Sequence, residues 1–321
     1  MGKQSVEMCR NGQGLQPFIM QRADPFIARY DGMYYFTATV PEYDRIELRA
    51  ARSIEELPAA APRVVWRRHA SGIMSRNVWA PELHKIDGKF YIYFAAGASN
   101  NKWKIRPYVL ACEGDPLTGE WREAGALQAH ESDEFSFTDF SLDMTIFERK
   151  GVHYCIWAEK VGQRFGISNL YIARMLSPVK LGSVQVLLTT PDYDWERVGF
   201  WVNEGPAVLK KNGKIFVTYS ASATGPEYCM GMLSADENAD LLDPRVWQKR
   251  RYPVLATQTD KGIYGPGHNS FCVDGNGRDV LVFHARTTDK LLTQDPLDDP
   301  NRHAFILPFD FDEKGEPVFC L

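Results

Sequence analysis

The stretch Phe200-Trp201-Val202-Asn203-Glu204-Gly205-Pro206-Ala207-Val208-Leu209 runs through Lys211-Asn212-Gly213-Lys214 into Ile215-Phe216-Val217-Thr218-Tyr219-Ser220. Two apolar runs joined by Asn-Gly are the strongest short-range signal for a β-hairpin, because its tight turn needs positive φ at both central residues. A hairpin is therefore predicted here. Glu204 stands at its mouth, between an aromatic pair and backbone stiffened by Pro206. Taken alone, such a carboxylate reads as a solvated loop residue.

The arrangement recurs. Turn glycines with a short apolar run before them and a β-rich run after stand at Gly32, Gly88, Gly151, Gly213 and Gly277, spaced 56 to 64 residues apart. A near-constant period of that size across 321 residues marks a repeat architecture. Each interval also holds a third β-like run, beginning at Arg45, Pro107, Asn169 and Tyr228. A more polar fourth run follows, as at Val64-Val65-Trp66. Four strands per unit and five units predict an all-β fold, a five-bladed β-propeller, with residues 1–321 as a single domain.

In such a fold the first strand of every blade lines the central channel, so equivalent strand-start positions converge on the axis. Eight or nine residues before the five turn glycines stand Asp24, Trp79 with Ala80, Asp143, Glu204 and His268. One acid at such a place is an ordinary hydrogen-bonded strand start; three at matching phase point to a shared pocket. Glu82 falls two residues out of phase and is expected to hold a neighbour by hydrogen bonds. Tyr43 lies in the loop between the second and third strands, on the same face, as a cover for a ligand or as a plain loop aromatic. Trp79 is either a stacking platform or a plug of the channel. Trp201 flanks Glu204. Arg286, at the end of a second strand, is placed to pair with an acid or to bind hydroxyls, or else to sit on the surface.

Composition narrows the partners. Net charge is −4 with both signs interspersed, which argues against a nucleic-acid footprint or a polybasic membrane patch. No apolar run approaches membrane-spanning length. Residues 1–10 hold no apolar leader core, and Val6 breaks the myristoylation pattern. The six cysteines (Cys9, Cys112, Cys155, Cys229, Cys272 and Cys320) form no C-x-x-C and no paired spacing. They read as buried free thiols, and a cytoplasmic location is expected. No cluster has zinc spacing, Gly12-Gln13-Gly14 lacks the context of a phosphate loop, and no G-x-S-x-G occurs. Carboxylate chemistry remains. Hydrolysis of a glycosidic bond needs one protonated acid for the leaving oxygen and one base for water, and a third charge can raise the acid's pKa.

Ala23-Asp24-Pro25, Trp79-Ala80-Pro81-Glu82, Ser141-Leu142-Asp143, Asn203-Glu204-Gly205-Pro206 and Gly267-His268-Asn269-Ser270 together resemble glycoside hydrolase family 43 over nearly the whole chain. Longer strings, among them residues 40–45, 219–224 and 299–302, resemble its exo-acting α-1,5-L-arabinofuranosidases. The resemblance implies an inverting mechanism with Asp24 as general base, Asp143 as the residue that tunes and orients, and Glu204 as general acid. It implies an arabino-oligosaccharide substrate and no required cofactor. It sets His268 in the channel beside a water or a structural ion, calcium or sodium. Met144 departs from the pattern, where a smaller residue is expected after the aspartate. Three rivals stay open: a β-xylosidase, a retaining invertase-like propeller, and a sugar-binding propeller without catalysis.

Overall fold

Asp31-Gly32, Asp87-Gly88, Lys150-Gly151 and Asn212-Gly213 each place two successive residues at positive φ (52° and 81°, 49° and 79°, 52° and 77°, 54° and 73°), the backbone of a tight hairpin turn. These turns and that at Gly277 open five antiparallel sheets in the computed structural model, which describes residues 15–162 and 166–321. Val6, Cys9 and residues 12–14 thus lie outside the described part. The first blade pairs Ala23–Tyr30, Met33–Thr39, Arg45–Ala51 and Arg63–Arg67 in that order. The second pairs Arg76–Ile86, Lys89–Ala98, Asn101–Cys112 and Trp121–Ala126. In the third, Ser141–Arg149, Val152–Val161 and Ile167–Ser177 are followed by Val186–Thr189 on the outer edge, with the short Lys180–Leu181 pairing beside it. Asn203–Lys211, Lys214–Ala221, Cys229–Asp236 and Gln248–Lys249 make the fourth.

The fifth blade has only three sequential strands, Tyr264–Val273, Asp279–Arg286 and His303–Pro308. Its outer edge is completed by the N-terminal segment. Ile19 bridges Ala304, Phe18 N donates to the Ala304 carbonyl at 2.7 Å, and Ala304 N returns a bond to Ile19 O at 2.9 Å. Joining residues 18–19 to the strand His303–Pro308 in one sheet closes the ring, which covers a sheet edge that would otherwise be free. Each first strand touches the first strands of both neighbouring blades, so the five surround one axis.

Every sheet is sandwiched between two others, which explains why its second strand reads as a continuous apolar run and not as an alternation. Tyr154 to Ala158 are all buried. Between the second and third blades, Ile86, Tyr93, Val109, Met144, Trp157 and Tyr171 form one cluster. Met144 therefore faces the inter-blade core. The side chain at that position fills the seam between blades.

One device is repeated five times. The pairing of each first strand with the second slips near its start, between Ala23 and Phe26, Trp79 and Glu82, Leu142 and Thr145, Glu204 and Ala207, and Gly267 and Ser270. At these bulges φ turns positive, at Asp24 (52°), Ala80 (46°), Asp143 (56°), Gly205 (55°) and His268 (42°). A bulge bends its strand and re-aims side chains. A left-handed conformation costs a non-glycine residue roughly 1–2 kcal/mol. The cost is sustained by interlocking bonds across blades, described next.

Candidate active site

Asp24 sits at the bulge of the first blade, 7% exposed. Its backbone N–H donates to His284 Nδ1 (3.1 Å), and its Oδ2 accepts the Thr39 hydroxyl (2.5 Å). Thr39 Oγ1 in turn accepts the N–H of Ala80 (2.7 Å), which couples the bulges of the first two blades. Around Asp24 Oδ1 stand His284 Nδ1 at 3.2 Å, His268 Nδ1 at 3.3 Å and the Arg302 guanidinium at 3.5 Å. His268 Nδ1 is also 3.8 Å from Asp143 Oδ2, and Asp143 Oδ2 accepts the N–H of Gly205 at 3.0 Å. Four blades are thus linked through one imidazole and two carboxylates, and the three acids meet at the hub.

Glu204 reaches the same pocket from a different register. The bulge residue of the fourth blade is Gly205, so the glutamate precedes it and does not replace it. A Cβ on residue 205 would come within 3.1 Å of His268 Cγ and Nδ1, and φ there is 55°. Both facts call for glycine, and the carboxylate moves one position upstream. The phase expected from the turn glycines (eight or nine residues) conceals this one-residue offset. Glu204 Oε1 accepts the Tyr228 hydroxyl at 2.8 Å.

The electrostatics separate the acids. Burial disfavours the Asp24 carboxylate, but the neighbouring His268 and Arg302 outweigh it and hold this group well below the usual range. Burial pushes Glu204 up to about 7, against the Tyr228 hydrogen bond and with help from the Asp24 charge. Asp143 is raised well above its ordinary value by burial and then by the Glu204 and Asp24 charges, against the Gly205 N–H. Asp143 and Glu204 titrate as a pair that keeps a proton near neutrality while Asp24 is ionised. An ionised base beside a protonated acid is the arrangement that general acid–base catalysis needs.

Of the other residues singled out in the sequence, Trp79 is buried beside Tyr43 (ring centroids 5.7 Å apart). The Tyr43 hydroxyl bonds the Leu297 carbonyl and accepts from Arg302 Nη2 at 3.0 Å. Trp201 is exposed on the rim, with the Arg197 guanidinium 4.5 Å from its ring centroid. Arg286 pairs with an acid, one of the places read for it from the sequence. It is fully buried, with Nη1 3.0 Å from Asp299 Oδ1 and Nη2 donating to Pro296 O at 2.8 Å. Those bonds fold the loop of residues 287–302 back on the blade and leave the guanidinium engaged away from a ligand. The guanidinium beside Asp24 is that of Arg302, at 3.5 Å. Glu82 holds a neighbour, as expected: His84 Nε2 is 2.8 Å from its Oε2, and both line a cavity of about 270 Å³ along the hub.

Arg302 and Tyr228 were missed in the sequence. Each directly precedes a third strand, His303–Pro308 or Cys229–Asp236, just as Tyr43 lies two residues before Arg45. The loop between second and third strands faces the pocket, and that placement is the signal that could have found both. Trp103 and Phe140 extend the aromatic wall outward from Trp79, with centroid spacings of 6.3 and 6.4 Å.

Two further buried carboxylates are structural. Glu159 accepts backbone N–H groups of Phe137, Thr138 and Asp139 and the Trp157 indole N–H, fixing the approach to Asp143. Glu196 takes the Asn203 amide (3.0 Å), the Tyr219 hydroxyl (2.8 Å) and Lys249 (2.8 Å), fixing the approach to Glu204. Buried charges of this kind require such full satisfaction. Among the described residues no three His, Cys, Asp or Glu side chains are grouped to hold a metal ion.

The profile of Glycosyl hydrolases family 43 matches residues 15–317. An extracellular exo-alpha-(1->5)-L-arabinofuranosidase of Streptomyces avermitilis is 46% identical over 306 residues, covering 94% of this chain but 62% of that protein. One of the same name from Streptomyces chartreusis is 48% identical over 273 residues, 84% of this chain and 81% of its own. The crystal structure of an alpha-L-arabinofuranosidase from Lactobacillus brevis superposes with a TM-score of 0.88 at 46% identity, covering 94% of this chain and 95% of that one. The cytoplasmic location expected from the cysteines does not stand, because both Streptomyces relatives are named extracellular. The physical reason lies in burial. Cys112, Cys155 and Cys229 are free but sealed inside sheets, so their reduced state says nothing about the compartment. Cys320, by contrast, is disulfide-bonded, and disulfides persist in oxidising surroundings.

Proposed function

The chain belongs to glycosyl hydrolase family 43, and from that premise we propose that it is an inverting exo-α-L-arabinofuranosidase releasing L-arabinose from α-1,5-linked arabino-oligosaccharides. The observation that carries the proposal is the convergence of Asp24, Asp143 and Glu204 from three blades on one pocket, where Asp24 is held well below the usual carboxylate range and Glu204 is raised to about 7. Asp24 takes a proton from water as that water attacks the anomeric carbon. Glu204 gives its proton to the departing glycosidic oxygen from the other side. Asp143, bonded to Gly205 N–H and close to His268, holds the acid's backbone in place and disfavours a second negative charge beside it. Arg302 is placed to keep Asp24 ionised. Tyr43, Trp79 and Trp201 are placed as sugar-contacting walls. A water or an ion beside His268 has a structural part in this proposal, and no step passes through it.

Initial rates on aryl α-L-arabinofuranoside and aryl β-D-xyloside, with product analysis on linear arabinotriose, test the assignment. Faster turnover of the arabinoside and stepwise release of arabinose support it. A preference for the xyloside would replace it with the β-xylosidase reading, and no turnover of either would leave a sugar-binding propeller.

The pH dependence follows from the two groups. A depressed Asp24 stays ionised as pH falls, so the acid limb of kcat/KM lies below the ordinary carboxylate range. Glu204 loses its proton as pH rises through about 7, so kcat/KM falls tenfold per pH unit beyond it. A profile flat from pH 5 to 9 would contradict the pairing of acid and base.

A further inference from the structure

Tyr228 and His284 have no part in the mechanism above, yet both are buried at its centre. Their rings stack at a centroid distance of 5.5 Å and an interplanar angle of 8°. On one side, the Tyr228 hydroxyl donates to Glu204 Oε1 at 2.8 Å. On the other, His284 Nδ1 accepts the N–H of Asp24 at 3.1 Å. We propose that this stacked pair is a positioning device that ties the general acid to the general base and fixes which oxygen of Glu204 faces the substrate. It rests on the assignment of Asp24 and Glu204 made above.

The chemistry of each contact supports the role. Nδ1 can accept the Asp24 N–H only through its lone pair, so the imidazole is neutral with its proton on Nε2. Nδ1 cannot then donate to Asp24 Oδ1, although it lies 3.2 Å away. Burial agrees, holding His284 down at about 4. A neutral ring can lie flat against a phenol without introducing another charge between the two acids. With Oε1 of Glu204 occupied by Tyr228, Oε2 is the oxygen left to carry the proton toward a leaving group. The slot is built for the phenol: a Cβ on residue 267 would come 2.4 Å from the Tyr228 ring, so only Gly267 admits it. Both residues stand at the pocket end of their blades, Tyr228 just before the third strand Cys229–Asp236 and His284 near the end of the second strand Asp279–Arg286. Displacing either ring therefore moves the acid relative to the base.

Glu204 is faced by Tyr228, Asp24, Arg302 and Asp143, and His284 by Asp24, Arg302, His268 and Tyr228. Of these, Tyr228 alone gives Glu204 a hydrogen bond that favours its ionised form. Its removal leaves the other charges in place and raises the pH at which Glu204 deprotonates.

The test uses the full chain with aryl arabinofuranoside carrying a good leaving group, linear arabinotriose, and thermal melts. In Tyr228→Phe the alkaline limb of kcat/KM should move upward by about half a pH unit or more. Turnover of arabinotriose should fall about tenfold or more, that of the aryl substrate much less, and KM should hold, because the acid is misaimed and not removed. Site-specific 3,5-difluorotyrosine at position 228, a stronger donor that keeps the ring, should move the limb downward; it provides the reading if the phenylalanine variant fails to fold. His284→Asn, which keeps an acceptor for the Asp24 N–H but loses the ring face, should slow both substrates. A limb unmoved by either change at position 228, or equal losses on both substrates in Tyr228→Phe, would overturn the role. Absence of turnover in the wild-type protein would instead sink the assignment on which the role rests.

Discussion

Asp24→Asn is expected to lower kcat by about 10³- to 10⁴-fold on arabino-oligosaccharide and aryl arabinofuranoside alike, since loss of the base slows attack by water on either substrate. Asparagine suits the test. It tolerates the left-handed backbone at this bulge, where φ is 52°, and its amide keeps the size of the carboxyl group. What disappears is the negative charge that Arg302, 3.5 Å away, holds ionised. Thermal melts distinguish the alternatives. A variant that melts like the wild type and is inactive on both substrates has lost chemistry. One that retains turnover within tenfold would remove Asp24 from the mechanism.

Glu204→Gln separates the two substrates. A glutamine cannot give a proton, so arabinotriose turnover should fall about 10³-fold, whereas an aryl glycoside with a good leaving group should lose about tenfold or less. The alkaline limb near pH 7 should vanish from the aryl profile. Stability gives an independent reading. The folded carboxyl is raised to about 7 from the 4.5 of an exposed glutamate, so the unfolded chain ionises first and ionisation destabilises the fold increasingly between those values. Glutamine removes that penalty and should leave the melting temperature at pH 8 equal or higher. Equal losses on both substrates with a lower melting temperature would mean that Glu204 is structural.

The hub was legible in the sequence to the extent that backbone chemistry marked it. Asp31-Gly32 and Asn212-Gly213 announce turns because few residues accept positive φ twice in succession, and counting back eight or nine residues from the five turn glycines reaches Asp24, Asp143, Glu204 and His268. What the count does not show is that Glu204 stands one residue before its bulge, at Gly205, because a side chain at residue 205 would meet His268. That clash is between blades and leaves no trace in local pattern. Arg302 and Tyr228 escaped for a related reason. They precede third strands, after loops as different as residues 40–44, 222–228 and 287–302, so no fixed interval connects them to a turn glycine. Arg286 pairs with an acid, as one reading of the sequence had it, but the acid is Asp299, a partner visible only once the loop of residues 287–302 is closed. Met144, which departs from the family pattern, has its side chain in the seam between blades, packed with Tyr93 and Trp157.

Location shows the limit of composition. Free buried thiols and interspersed charge are compatible with more than one compartment, and the two extracellular relatives corrected the expectation. The fold, in contrast, rests on constraints that hold everywhere in the chain: tight turns, strands apolar on both faces, and one sheet that joins the N-terminal segment to the last blade.

The central claim is that one acid and one base act from opposite sides of a single bond in one displacement. Proton NMR of the first arabinose released from an α-L-arabinofuranoside, recorded before mutarotation, tests it most directly. The account predicts the β-anomer first, with the α-anomer growing in only as the sugar equilibrates. Initial appearance of the α-anomer would require a double displacement, and Asp24 could not then be the base that activates water.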